Sequence, residues 1–385
     1  MKKFITLLVV FCTLLGTCIG AVSAQKVIPD ELTIGMISTI SGEQALDGVN
    51  MTDAIRLVQK ELEEAGGLNV DGKMVKIKWQ IEDCEAKPEI AVNAAQKLIE
   101  QDKVIAIVGP NNSSDTIASA EISQSAKIPH ITNTGTNEAV TKVGDYVFRA
   151  CIIDPFQGKV VAQFAYDDLN VRKAAVIYNN ADTYSAGLAK AFIDAFTHLG
   201  GEVVANEAFS GADVKDFSAQ LTKIKNANPE AVFVPTHHTN VPLILQQIRG
   251  MGIESTLLGC DSWDYAVLPE LVGLDIIEGA YYVTGFSPDA ETAKEFVDAF
   301  TELAGYRPSF CSAMAYEAAH IVLNAIQNAE TIDGPGVRDA MMKTSLDLPS
   351  GHVTFDENRN PIKAGVVLQV IDGVAQYVTS VTPAE

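Results

Sequence analysis

Val104-Ile105-Ala106-Ile107-Val108 runs directly into Gly109-Pro110-Asn111-Asn112-Ser113-Ser114-Asp115-Thr116, and a helical pattern then continues to about Ala126. The apolar run reads as a buried strand and the turn-forming residues after it as a loop. A Ser at the entry of a helix caps its first N–H groups. Those groups, with the helix dipole, attract a carboxylate or a phosphate. In an open α/β sheet this loop lies at the carboxyl end of the strands, where ligands bind. The next strand, Pro129 to Thr132, ends in a similar way at Asn133-Thr134-Gly135-Thr136. Gly135 lets backbone approach a ligand closely, and Thr134 and Thr136 add hydroxyls and exposed amides. Capping alone would explain either loop. Two such loops on adjacent strands point to an anion site.

Outward from this unit the same rhythm repeats. Strand patterns at Leu32–Ser38 and Lys73–Glu82 alternate with helical spacing at Thr52–Glu64 and Pro88–Gln101. A further strand is expected near Tyr146–Ala150. The pattern restarts after Asp154-Pro155, with helices at Gln157–Leu169, Ser185–Leu199, Phe217–Ala227 and Val241–Met251. Strands fall between them at Ala174–Tyr178, Glu202–Ala205, Ala231–Val234 and Thr256–Leu258. Helices return at Ala290–Ala304 and Ala313–Asn328. Strand then helix at this spacing means βαβ units. The expected fold is α/β, with two doubly wound parallel-sheet lobes. No low-complexity linker separates the two sets, so short crossings suited to a hinge are expected.

A chain of 385 residues exceeds what one hydrophobic core usually serves, which agrees with two lobes. Lys2 and Lys3, an apolar run from Phe4 to about Leu15, and Val22-Ser23-Ala24 read as an export signal over residues 1–24. The apolar run is shorter than the roughly 20 residues that span a bilayer. Leu15-Gly16-Thr17-Cys18 is a poor lipobox, so no lipid anchor is expected and the exported chain is read as periplasmic. The formal charge is −21, and loss of the two leader lysines makes it more negative. Such a surface repels nucleic acid and anionic lipid. Cys84, Cys151, Cys260 and Cys311 remain after the leader; their wide spacing permits bridges and equally permits buried thiols.

Catalytic and cofactor motifs are missing. No Gly-rich dinucleotide or Walker loop, no G-x-S-x-G and no H-E-x-x-H occurs. His237-His238 is a weak metal motif, since neighbours on a strand point to opposite faces. Neither a cofactor nor a metal is expected.

Several stretches carry a family resemblance: Ile34-Gly35 to Ser41-Gly42, Val108-Gly109-Pro110 to Thr116, and Thr132 to Glu138. Phe148-Arg149-Ala150 with Gln157-Gly158, Tyr184-Ser185-Ala186-Gly187 and Asp216-Phe217-Ser218 extend it. In their order and spacing the chain resembles the branched-chain amino acid binding proteins, periplasmic receptors of ABC importers with the type I bilobed fold. The resemblance implies an amino acid held between the lobes, a monomer, and permease and ATPase subunits as partners. It implies three crossings, with residues 30–153 and 285–358 in the first lobe and 154–284 and 359–385 in the second. The ligand carboxylate would be held by Ser113, Thr134, Gly135 and Thr136. Its ammonium would meet the Thr134 carbonyl and Asp261, and Tyr184 would close over it.

The chain departs from that pattern in three places. Ala45-Leu46-Asp47 replaces an aromatic in the loop after the first strand, His237 falls where another aromatic is usual, and Asp261 stands where Glu is frequent. These positions leave leucine, another amino acid and an amino acid derivative all open. Strand ends face the cleft in this fold, which makes His237 a candidate contact. Trp263 is a candidate lid, its alternative being to pack inside its own lobe. Asp47 and Glu43, also near the cleft, read as solvated loop acids. Two other functions fit less well: a ligand-sensing protein that presents a small carboxylate to a partner receptor, and an α/β enzyme. The second lacks a paired acid and base or an activated nucleophile.

Overall fold

The computed structural model describes residues 26–42 and 44–382. The expected leader with Cys18, and Glu43, lie outside the described residues.

Two sheets organise the chain. The first has six strands in the order Leu68–Val70, Lys73–Asp83, Glu31–Ser38, Ile107–Val108, His130–Thr132 and Val147–Arg149. The second has seven, in the order Val374–Val381, Gly365–Ile371, Tyr281–Thr284, Thr256–Gly259, Ala231–Phe233, Lys173–Asn179 and Glu202–Phe209. Helices on both faces supply the crossovers, as the alternating pattern predicts.

The sheets are largely parallel, as expected, with antiparallel pairing added toward their edges. Leu68–Val70 pairs antiparallel with Lys73–Asp83, and Gly365–Ile371 pairs antiparallel with both of its neighbours. The cause is local. Asp71-Gly72 and Asp372-Gly373 are two-residue turns with positive φ at both positions. That backbone twist joins adjacent antiparallel strands without splaying them.

Each sheet has its own core. Ile34, Met36, Val108 and Phe148 pack with Phe286, Phe310 and Ile321 in one. Val176, Phe192, Phe233 and Trp263 pack with Val283 and Val367 in the other. The chain therefore passes from core to core between Cys151 and Val160, between Val283 and Phe286, and between Phe355 and Val366. On the last passage Lys363 forms a buried ion pair with Glu317, whose carboxylate also accepts the Ser350 N–H at 2.7 Å. This pins the passage to the helix Phe310–Asn328 of the first core.

Helix Ser113–Ala126 starts earlier than Thr116, and helix Ala45–Ala65 starts well before Thr52. Both extensions bring helix starts to the region between the sheets. Cys84, Cys151, Cys260 and Cys311 are free and buried. Among the described residues no helix is long and apolar enough to cross a membrane.

Candidate ligand-binding cleft

The first-lobe wall is made of the two loops singled out above, and their hydroxyls stitch them together. Thr132 Oγ1 donates to the Pro110 carbonyl at 2.6 Å, and Thr134 Oγ1 donates to the Asn111 carbonyl at 3.1 Å. Gly109 is required here. Its φ is +90°, and a Cβ would lie 2.1 Å from the Ile37 carbonyl oxygen. Helix Ser113–Ala126 then presents its first turn to the cavity. Asn112, not a Ser, is its N-cap, and no side chain caps it. Ser113 Oγ instead accepts the Asn137 N–H at 3.2 Å. The first N–H groups of a helix have no partner within it, so this turn is a donor surface.

Arg149 holds the second loop in place. Its guanidinium is fully buried and donates to the carbonyls of Gly135 and Asn137, both at 2.8 Å. Gly135 is not where backbone meets the cavity, which corrects its expected role. A Cβ there would lie 2.7 Å from Thr132 Oγ1, so the glycine makes room for that hydroxyl, which accepts the Gly135 N–H at 2.9 Å. Thr136 is fully buried just behind the cavity wall, and its carbonyl accepts the Asp154 N–H at 3.0 Å.

The second-lobe wall is acidic and aromatic. Tyr184 opens helix Thr183–His198, which is capped by Asp182 through the Ser185 N–H. Asp261 opens a turn after strand Thr256–Gly259, and the Gln157 side chain accepts its N–H at 3.1 Å. Tyr184 donates to Asp261 Oδ1. Burial raises the Asp261 pKa, against the lowering by Tyr184, Gln157 and His237. His237 Nε2 lies 3.4 Å from Asp182 Oδ1. Burial pulls this imidazole down, but Asp182, aided by Asp47 and Asp261, outweighs it and lifts the pKa to about 9.

Ser113, Thr134, Tyr184, His237 and Asp261 thus meet around one cavity of about 40 Å³. Trp263 does not join them. It is 1 % exposed, its Nε1 donates to the Val234 carbonyl at 3.2 Å, and it packs over Gly259 inside the second core. Its position is the packing alternative rather than the lid.

Other residues of the cavity were not among the expected ligand contacts. Asp47 is buried, accepts Asn111 Nδ2 at 2.9 Å and accepts the Tyr265 hydroxyl from the opposite lobe. It is therefore no solvated loop acid. His238 lies 3.6 Å from Asp47. Both histidines line the cavity because they sit in the loop after strand Ala231–Phe233, where strand alternation no longer applies. Among the described residues no group of three or more His, Cys, Asp or Glu side chains could hold a metal ion.

A sequence profile of periplasmic binding proteins matches residues 31–375. An amino acid binding protein of Pseudomonas aeruginosa is 30% identical over 353 residues, covering 90% of this chain and 92% of that one. The leucine binding protein LivK of Thermotoga maritima superposes with a TM-score of 0.84 at 30% identity, covering 91% of this chain and 99% of that one. LivJ of Streptococcus pneumoniae, in complex with isoleucine, gives 0.85 at 30% identity, over 92% and 100%. A cleft between two sheets lined by polar side chains agrees with these relatives. The chain belongs to the periplasmic binding protein family and is a solute-binding protein of an ABC transporter.

Proposed function

We propose that this chain captures an amino acid, or an amino acid derivative, in the cleft and delivers it to the permease of an ABC importer. One observation carries the reading. The cavity sets the first turn of helix Ser113–Ala126 and Thr134, on the first lobe, against the Asp261 carboxylate of the second. A zwitterion needs donors at one end and a carboxylate at the other. Charge-assisted hydrogen bonds contribute about 1.5–3 kcal/mol each, so a few suffice for a micromolar Kd, roughly −8 kcal/mol.

The ligand would bind the first lobe, and Tyr184, His237 and Asp261 would then swing onto it. Hinges are placed near Ile153-Asp154, Thr284-Gly285 and Asn358–Lys363, with residues 1–24 as the export leader. Contacts from the second lobe exist only in the closed form, so they supply the differential affinity that closure requires. The test is native mass spectrometry of the purified protein before and after gentle denaturation, then a thermal-shift panel of amino acids. A released zwitterion, or one amino acid that raises the midpoint, is the expected result. Binding of a carboxylate that lacks an ammonium, with no amino acid bound, would overturn the reading.

A further inference from the structure

The cleft has two polar poles, and a zwitterion uses only one of them. Ser113, Thr134 and Asp261 serve the carboxylate and ammonium under the reading above, on which the present inference rests. The second pole is Asp47, with Asn111 and Asn112 beside it on the first lobe and His238 and Tyr265 facing it from the second. Asp47 is only 4 % exposed and already accepts from Asn111 and Tyr265. A carboxylate offers about four acceptor positions, so two bonds leave it capacity for a further donor. His238 Nδ1, at 3.6 Å, is beyond hydrogen-bonding distance. Among the described residues neither Lys nor Arg lines the cavity.

An aliphatic side chain laid against this pole would strip water from a carboxylate and two amides and return no hydrogen bond. A side chain with its own donor would replace the water it displaces. Sites built around a donor or acceptor reject the analogue that lacks the partner group by about 10⁴–10⁵-fold. Size adds a second constraint. One water takes about 10–15 Å³ by this measure, and the cavity of about 40 Å³ must hold the whole ligand, main-chain groups included, which favours a short side chain.

We infer that the ligand is a compact amino acid whose side chain carries a hydroxyl, amide or ammonium donor received by Asp47, and that Asp47 selects against leucine, isoleucine and valine.

The experiment is titration calorimetry on the purified chain after unfolding and refolding to strip bound ligand. The probes are serine, threonine, asparagine, glutamine and 2,4-diaminobutyrate, set against leucine, isoleucine, valine and benzoate. At least one donor-bearing amino acid should bind on the order of 100-fold tighter than any of the three aliphatic ones. Asp47→Leu should narrow that ratio by roughly tenfold or more. Asp47→Asn, of nearly the same volume, should narrow it for an ammonium-bearing side chain even if the leucine variant fails to fold. An aliphatic amino acid that binds wild type as tightly as the polar ones overturns this inference and leaves amino acid capture standing. Binding of benzoate with no amino acid bound overturns amino acid capture itself, and this inference with it.

Discussion

Tyr184 and Asp261 stand 77 residues apart in the chain and share a hydrogen bond of 2.5 Å, the tyrosine hydroxyl donating to Oδ1. Both belong to the second lobe, so the acid facing the cavity is oriented before any ligand arrives. Asp261→Asn keeps the shape and removes the charge. Loss of one partner of a buried charge pair costs about 2–5 kcal/mol, so affinity for an amino acid should fall from roughly 30-fold to several thousandfold. Burial already opposes ionisation of Asp261, so the melting midpoint of the ligand-free variant should not drop. Calorimetric titration and a thermal scan check the two halves separately.

The His237–Asp182 contact makes stability depend on alkaline pH. An unfolded histidine titrates near 6.5, and the folded one near 9. Between these values the native state holds the extra proton. The contribution is therefore complete below about pH 6.5 and is lost as pH rises through about 9. In His237→Gln the fall in melting midpoint between pH 6.5 and 9 should be shallower than in wild type. Parallel slopes would separate this contact from the alkaline loss.

Asp154 acts in the opposite range. It is 1 % exposed, and burial raises its pKa to about 8. The unfolded carboxyl releases its proton near 3.9, so the native state again binds more protons, and stability falls as pH rises from about 4 to 8. Asp154→Asn should melt higher than wild type at pH 8, with the gap closing toward pH 4. A gap that stays constant across this range would remove the titration of Asp154 as its cause.

Trp263→Ala opens a cavity in the second core and leaves the Val234 carbonyl without its indole donor. Truncation of a buried aromatic costs about 3–5 kcal/mol. Chemical denaturation should register that loss. Trp263→Phe should recover most of it, and ligand affinity of the phenylalanine variant should stay within about threefold of wild type, since the indole lies outside the cavity.

Much of the architecture was legible because strand and helix alternate with clean turn residues. The two loops that meet at the cavity could be read from Gly109–Thr116 and Asn133–Thr136 alone. The antiparallel edges were missed although Asp71-Gly72 and Asp372-Gly373 are strong hairpin signals between apolar runs. Asp47 was misread for a different reason. Its burial is created by Tyr265, 218 residues further on in the chain, and no local pattern records a contact between lobes. Gly135 and Trp263 failed in a third way: residue type named the right neighbourhood, but side-chain direction decided which of them meets the cavity.

The four solitary thiols have a practical consequence. Burial pushes Cys84, Cys151 and Cys260 up to about 12 and Cys311 upward as well, so almost none of the reactive thiolate exists at neutral pH. The native shape is then indifferent to the redox poise around it. The fold holds these four cysteines as thiols and rests on no disulfide between them. Alkylating reagents would leave the folded population unmarked and tag only molecules that have opened, so the chain carries its own counter of unfolding events.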